Sequence, residues 1–396
     1  QACLGYKPVD RGSLISATPP CWIAQGCPEK MPTNSGVDIV ELGDAAEKGA
    51  CCPADDTGKQ NCMSVDEASK ARADGSPQKC VMVNGVCVPA GAAWELMGQG
   101  QGAQALGLPV EEEETRTVKL GRALLAEAFG TAMIVLFGCG SVCSTLSGAY
   151  QGIWQVAIVW GFGVALAIYS TAEASGAHLN PAITLAFQLI RPQAHDMTPL
   201  KSLAYVAAQF FGAFMGGVIN LAVYSNTIEA FERENGIVRG EPNSIKTASA
   251  FGEYFPNPGL SKEYGGGPYV QDDVSMGKAL FVEAWGTFIL AFVVFGITNK
   301  HNKALGDAAR PGVPFMIGAT VAVLLALYAP ITQAGWNPAR DFGPRLVAAM
   351  AGWGEVAIPG PRGGFWIYIV GPCLGAPLGA ALAELLLWQR RPANRS

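Results

Sequence analysis

The stretch SGAHLNPA at residues 175–182 and the stretch GWNPARDFGP at residues 335–344 share one tripeptide, Asn180-Pro181-Ala182 and Asn337-Pro338-Ala339, set in a strongly apolar chain. Asn is a favoured helix N-cap and Pro the favoured first helical residue, so each copy reads as a helix start whose capping amide and free N–H groups face forward. Two such starts meeting inside a membrane bring two amide donors and two positive dipole ends to one point. An uncharged polar solute can pass that point while a cation is repelled, so the pair reads as the waist of a transmembrane pore.

The surroundings repeat as well. Glu127-Ala-Phe-Gly-Thr131 returns as Glu283-Ala-Trp-Gly-Thr287 at an offset of 156, and the two motif Asn stand 157 apart. Apolar segments of roughly 20 residues, enough to cross a bilayer, are expected at 120–143, 153–173, 200–224, 276–298, 313–331 and 364–388. Each repeat (about 120–224 and 276–388) therefore holds three spans and one short segment led by the tripeptide. An odd number of spans turns the second repeat over, so the short helices enter from opposite faces. The predicted fold class is an all-α membrane protein with six transmembrane helices and two re-entrant half-helices in an inverted repeat. Irregular backbone at such depth is tolerated where it lines a cavity or is buried in protein.

Of the 396 residues, 50 % are hydrophobic and 15 % charged, and the net charge is −5. With no basic stripe carrying interleaved aromatics, a nucleic-acid partner is excluded. A passive conduit needs no nucleophile, metal or cofactor, and none is expected.

Residues 1–95 differ in character, being polar and carrying eight of the eleven cysteines: Cys3, Cys21, Cys27, Cys51, Cys52, Cys62, Cys80 and Cys87. An even count in so core-poor a segment reads as a disulfide framework in a small extramembrane domain, a surface on which another protein could dock. Zinc is the competing reading, but there is no C-x2-C pair and no His before His178. Residues 96–116 read as a flexible, acidic linker to a channel domain at 117–391.

Within the spans, Gly212 and Gly216, and Gly371, Gly375 and Gly379, stand at four-residue spacing that suits close helix packing. Pore lining is their competing reading. Glu127 and Glu283 are isolated carboxyl groups in apolar helices, expected to hold N–H groups of the re-entrant loops rather than to relay protons. His178, His195 and His301 are expected to be ordinary loop residues rather than a titrating gate.

With these residues in view, the chain over about 118–388 resembles the aquaporin (major intrinsic protein) family. Within that family it resembles the glycerol facilitators, through Asp341 after Asn-Pro-Ala-Arg, Arg345 four residues on, and a long connection holding Ile237-Val-Arg-Gly240 and Pro256-Asn-Pro258. The resemblance implies a homotetramer in a lipid bilayer with one pore per subunit. The implied solutes are small and neutral: glycerol and water first, then urea, ammonia or neutral metalloid acids. It also implies a four-residue filter at Trp160, Leu325, Ala334 and Arg340. Arg340 would donate to hydroxyls and repel cations, and Trp160 would offer a flat apolar wall, with a salt bridge and an interfacial anchor as the bland alternatives. Glycerol facilitators usually carry Gly and an aromatic at the places of Leu325 and Ala334, which here resemble the filter of plant nodulin-type intrinsic proteins. Tyr368-Ile369 stands where glycerol channels typically show Pro-Leu, and Trp336 is a further bulky substitution. The rival function is a scaffold with a silent pore, docked through its Cys-rich domain.

Six spans put both termini on one face, and the loops and tail there carry Arg191, Lys201, Lys300, Lys303, Arg310, Arg390, Arg391 and Arg395. Such bias marks the cytoplasmic, stromal or matrix side of a plasma or internal membrane. Eight cysteines on that same face ask instead for an oxidising compartment. Loop bias is statistical, whereas eight thiols would leave a small domain without a source of stability, so the expectation is a disulfide-bonded domain in a lumenal or extracellular space. Alkylation without reduction, followed by mass spectrometry, should find residues 1–87 unlabelled at cysteine, and eight labelled cysteines there would rule the framework out.

Overall fold

A computed structural model describes residues 115–302 and 310–388, together with the backbone of a hairpin formed by β1 (Cys80–Val83) and β2 (Val86–Pro89). The hairpin is antiparallel and sets Cys80 opposite Pro89 and Met82 opposite Cys87. The other six cysteines of the expected framework, and the basic residues Lys303, Arg390, Arg391 and Arg395, lie outside the described residues. The chain divides into units 1–113 and 114–396.

In the second unit the helices are α1 (Arg116–Thr145), α2 (Ile153–Ser175), α3 (Pro181–Ile190), α4 (Pro199–Glu234), α5 (Met276–Ile297), α6 (Val313–Thr332), α7 (Pro338–Ala348) and α8 (Ile367–Leu387). All but α3 and α7 are long and apolar enough to cross a membrane. With 10 and 11 residues, α3 and α7 reach only about 15 Å, half a crossing. Thr115, Thr198 and Ser275 start α1, α4 and α5 by accepting from the N–H groups of Val118, Lys201 and Lys278. The face with the free ends of α1 and α8 is called the terminal face below, and its opposite the far face.

The polarity of the bundle is reversed relative to a protein in water. Leu125, Phe129, Phe211 and Leu378 are between 63 % and 74 % exposed, while Glu127, Gln209, Glu283 and Asp341 are fully buried. Apolar surface on that scale is covered by lipid or by another subunit.

One helix runs further than its apolar length indicates. Expected to end near 224, α4 continues to Glu234, because its last turns are fixed by polar contacts to the loop beyond. The Glu232 carboxylate accepts from Arg239 Nε at 3.0 Å and from Thr247 Oγ1 at 2.9 Å, and Ile228 beside it is buried.

The inverted repeat is written into the packing. A Cβ on Gly212 would stand 1.9 Å from the Ala128 carbonyl oxygen, and one on Gly375 would stand 1.9 Å from that of Ala284, 156 residues after Ala128. At the centre Gly161 of α2 and Gly318 of α6 meet each other, each added Cβ falling within 2.7 Å of the other's carbonyl oxygen. The pseudo-two-fold axis passes between them, and these backbones approach closely because no side chain intervenes.

Gly212→Ala and Gly375→Ala should each lower the thermal midpoint of the detergent-solubilised protein, since overpacking of this kind costs about 1–3 kcal/mol. Gly277→Ala, where an added Cβ meets nothing within 4 Å, should leave the midpoint unchanged or raise it. Equal midpoints for all three variants would contradict the packing described.

Candidate functional site

Between α2 and α3, and again between α6 and α7, the backbone enters the bundle in left-handed conformations. Gly176 (φ 84°), Ala177 (φ 48°) and Leu179 (φ 51°) are matched 157 residues later by Gln333 (φ 61°), Ala334 (φ 67°) and Trp336 (φ 48°). Non-glycine residues held there cost on the order of 1–3 kcal/mol each, so the surroundings must impose the geometry.

The imposing groups are the two carboxyls. Glu127 accepts from His178 N at 2.9 Å, Leu179 N at 2.7 Å and Ser175 Oγ at 2.6 Å. Glu283 accepts from Gly335 N at 3.2 Å, Trp336 N at 2.9 Å and Thr332 Oγ1 at 2.6 Å. Tyr205 closes the first cluster by donating to Ser175 O at 3.0 Å, and Tyr368 closes the second by donating to Thr332 O at 3.1 Å. The unusual Tyr368 of the sequence thus stands where Tyr205 stands in the other half. Gln209 adds a donor to Glu127 at 2.7 Å that the second half lacks, its counterpart there being Pro372. A buried carboxyl is tolerated when its lone pairs are used in this way.

The motif asparagines bind the halves together. Asn180 Oδ1 accepts from Ala182 N at 2.9 Å, and its Nδ2 donates to Trp336 O at 2.9 Å. Asn337 Oδ1 accepts from Ala339 N at 3.1 Å and Arg340 N at 3.2 Å, while its Nδ2 donates to Leu179 O at 2.8 Å. Each cap thus starts its own half-helix and grips the opposite loop.

Both asparagines line a cavity of about 260 Å³ that extends from the terminal face inwards as far as the residues expected at a filter. Its walls are largely apolar, with Ile134, Val164, Leu290 and Val321 among them. Towards the far face it is lined by all four residues expected at a filter, Trp160, Leu325, Ala334 and Arg340. The Trp160 ring occupies the notch left by Gly138, and the Arg340 guanidinium carbon stands 4.0 Å from its centroid. Trp336 lines the cavity while its indole lies over Gly286, as Leu179 lies over Gly130 in the first half.

Arg340 is also ion-paired with Glu253, so the salt bridge weighed as its bland alternative is present. Glu253 comes from the loop between α4 and α5 and was not among the residues singled out in the sequence. A lone carboxylate in a loop is the ordinary case, and nothing in its spacing points at Arg340.

At the terminal face the cavity is lined by Arg191, His195 and His178. The two histidines are not ordinary loop residues: His178 Nε2 and His195 Nδ1 lie 2.9 Å apart, and His178 Nδ1 lies 3.2 Å from Thr184 Oγ1. The His195 ring fits against Gly176, where any Cβ would collide with it. Burial, then Lys201 and Arg191, hold the His195 imidazole below the usual histidine range, against a small opposing pull from Asp196, so it is neutral at pH 7. Arg191 is itself tied to Glu384 and donates to Thr298 Oγ1 at 3.0 Å. His301 stands apart and exposed. Among the described residues no group of three His, Cys, Asp or Glu side chains is placed to hold a metal.

The chain is similar to known proteins. A family profile described as Major intrinsic protein matches residues 114–383. The glycerol uptake facilitator protein of Pseudomonas aeruginosa is 38 % identical over 272 residues, covering 68 % of this chain and 90 % of that protein. The propanediol uptake facilitator PduF of Citrobacter freundii is 38 % identical over 273 residues, 68 % of this chain and 95 % of its own. The X-ray structure of the aquaglyceroporin from Plasmodium falciparum shares the fold, with a TM-score of 0.56 at 21 % identity over 68 % of this chain and 97 % of that one. Matched over most of its length at this level of identity, the chain belongs to the major intrinsic protein family.

Proposed function

We propose that this chain is a passive transmembrane channel for small uncharged polar solutes, glycerol and water first among them. The observation that carries the reading is the pair of motif asparagines, capping opposed half-helices on the wall of a single mostly apolar cavity. Relatives named as glycerol and propanediol uptake facilitators support it.

A solute leaving water loses roughly 1–3 kcal/mol for each hydrogen-bonding group left without a partner and must find replacements inside. One N–H of each Asn side chain is used across the halves, so the second of each, at Asn180 and Asn337, serves the solute. Main-chain carbonyls of the loops at 176–179 and 334–336, which line the cavity, serve as acceptors. The half-helices of Pro181-Ala182 and Pro338-Ala339 add their dipole ends, which repel cations.

Trp160, Leu325, Ala334 and Arg340 act as the filter. Relative to glycerol facilitators, bulk has moved from the position of Ala334 to that of Leu325, so an alkyl backbone would lie against Leu325 and Trp160 instead of an aromatic corner. Glu127 and Glu283 keep both loops in shape and take no part in proton transfer. The finer expectations complete the proposal: a homotetramer with one pore per subunit, urea, ammonia or neutral metalloid acids as further solutes, and a disulfide-bonded domain at 1–95 facing an oxidising space.

Proteoliposomes of the full chain should shrink faster than empty vesicles in a sucrose step and re-swell in glycerol, followed by stopped-flow light scattering. Rates equal to those of empty vesicles for water, glycerol and urea would sink the channel reading in favour of a silent scaffold. Leu325→Gly should raise glycerol flux relative to water severalfold, because it removes a whole isobutyl group from the constriction. An unchanged ratio would take Leu325 out of the filter.

A further inference from the structure

Resting on the channel reading above, we propose that Glu253 makes the constriction electrically neutral. It does so by pairing with Arg340, so that this point sorts solutes by size and hydrogen bonding and leaves cation exclusion to the two half-helix ends. The pair is buried from both sides, the side chains of Arg340 and Glu253 being 5 % and 7 % exposed. Bulk water therefore screens neither charge well, and each would act strongly on a solute if left alone. Paired, they form a dipole, whose potential falls off faster with distance than that of a single charge.

Glu253 is not beside Arg340 by chance of a loose loop. Its N–H donates to Asp341 Oδ1 at 2.7 Å and its carbonyl oxygen accepts from Arg345 Nη2, while Asp341 and Arg345 pair with each other at 2.7 Å. All three partners lie on α7, so the helix that carries Arg340 in its first turn also clamps the carboxylate that neutralises it. The neighbouring Tyr254 N is fixed by Gln333 Oε1 at 2.8 Å, from the second re-entrant loop. Glu253 itself lines a separate, smaller pocket among the far-face loops and not the main cavity, so a solute meets Arg340 and Trp160 without touching the carboxylate. Across Arg340, Glu253, Asp341 and Arg345 the formal charges cancel.

The consequence is that removing Arg340 does more than remove a positive charge, since it leaves a buried carboxylate unpaired at the constriction. Full-length protein in liposomes with an internal pH dye and an imposed sodium gradient separates the two effects. Arg340→Val should raise the proton and sodium leak by about tenfold or more, from the attraction of an unscreened charge at close range. Arg340→Val with Glu253→Asp, which keeps the carboxylate, should leak equally. Arg340→Val with Glu253→Gln should fall back towards the wild-type leak, and Arg340→Gln replaces the valine variant if that does not reach the membrane.

A Glu253→Gln double variant that leaks as much as the single one would overturn the proposal, because the barrier would then be the charge of Arg340 itself. An Arg340 single variant with no added leak would overturn it too, since the carboxylate would not be felt in the pore. Glycerol and water flux through the wild type, read in the same vesicles, tests the channel reading separately.

Discussion

Everything in this bundle depends on two buried carboxyl groups accepting main-chain N–H bonds. A re-entrant loop turns part of its backbone into the apolar bundle, where an unpartnered group costs on the order of 1–3 kcal/mol. Glu127 and Glu283 remove that difficulty at one stroke per half, each taking two consecutive N–H groups and the hydroxyl that ends the preceding helix. The same residues line the cavity, and Leu179 and Trp336, each giving an N–H to a carboxyl, carry left-handed φ values. The lining of the cavity is thus a by-product of how the loops are held.

The second organising fact is that each cluster repeats with its partners substituted in kind. Ser175 becomes Thr332, Tyr205 becomes Tyr368 and Leu179 becomes Trp336, while the glycine notches at Gly130 and Gly286 recur beneath the last pair. The departures from symmetry fall where the halves must differ. Gln209 reinforces only the first loop, whereas the second half-helix carries Arg340, Asp341 and Arg345, which organise the far-face loops.

What could be read from the residues alone follows from which constraints are local. The doubled Asn-Pro-Ala, the doubled Glu-Ala-x-Gly-Thr and the apolar run lengths are each set by neighbours in the chain, so spans, half-helices and inversion were legible. The far end of α4 was not, because Glu232 and Ile228 are fixed by Arg239 and Thr247 across a loop and not by an apolar period. Glu253 was illegible for the same reason: 87 positions separate it from Arg340, and only the fold brings them together. The histidines misled in a different way, as His178 and His195 look like scattered loop residues until Gly176 is seen to leave room for their contact. Trp336 was ambiguous in sequence because a tryptophan can line a void with one edge and pack with the other, which is what it does.

The crossed bonds of the two asparagines also bear on how the chain is made. Asn180 reaches a carbonyl 156 residues ahead and Asn337 one 158 residues behind, so neither cap is complete until both halves are in the bilayer. A nascent chain therefore inserts its first three spans with α3 and its loop only half-satisfied, sheltered by Glu127 but lacking its partner. Contacts this distant in sequence close slowly and late. The waist of the bundle cannot close before the second half is inserted, and a ribosome stalled within α5 or α6 would leave an inserted but unlocked first half, a form exposed to membrane quality control.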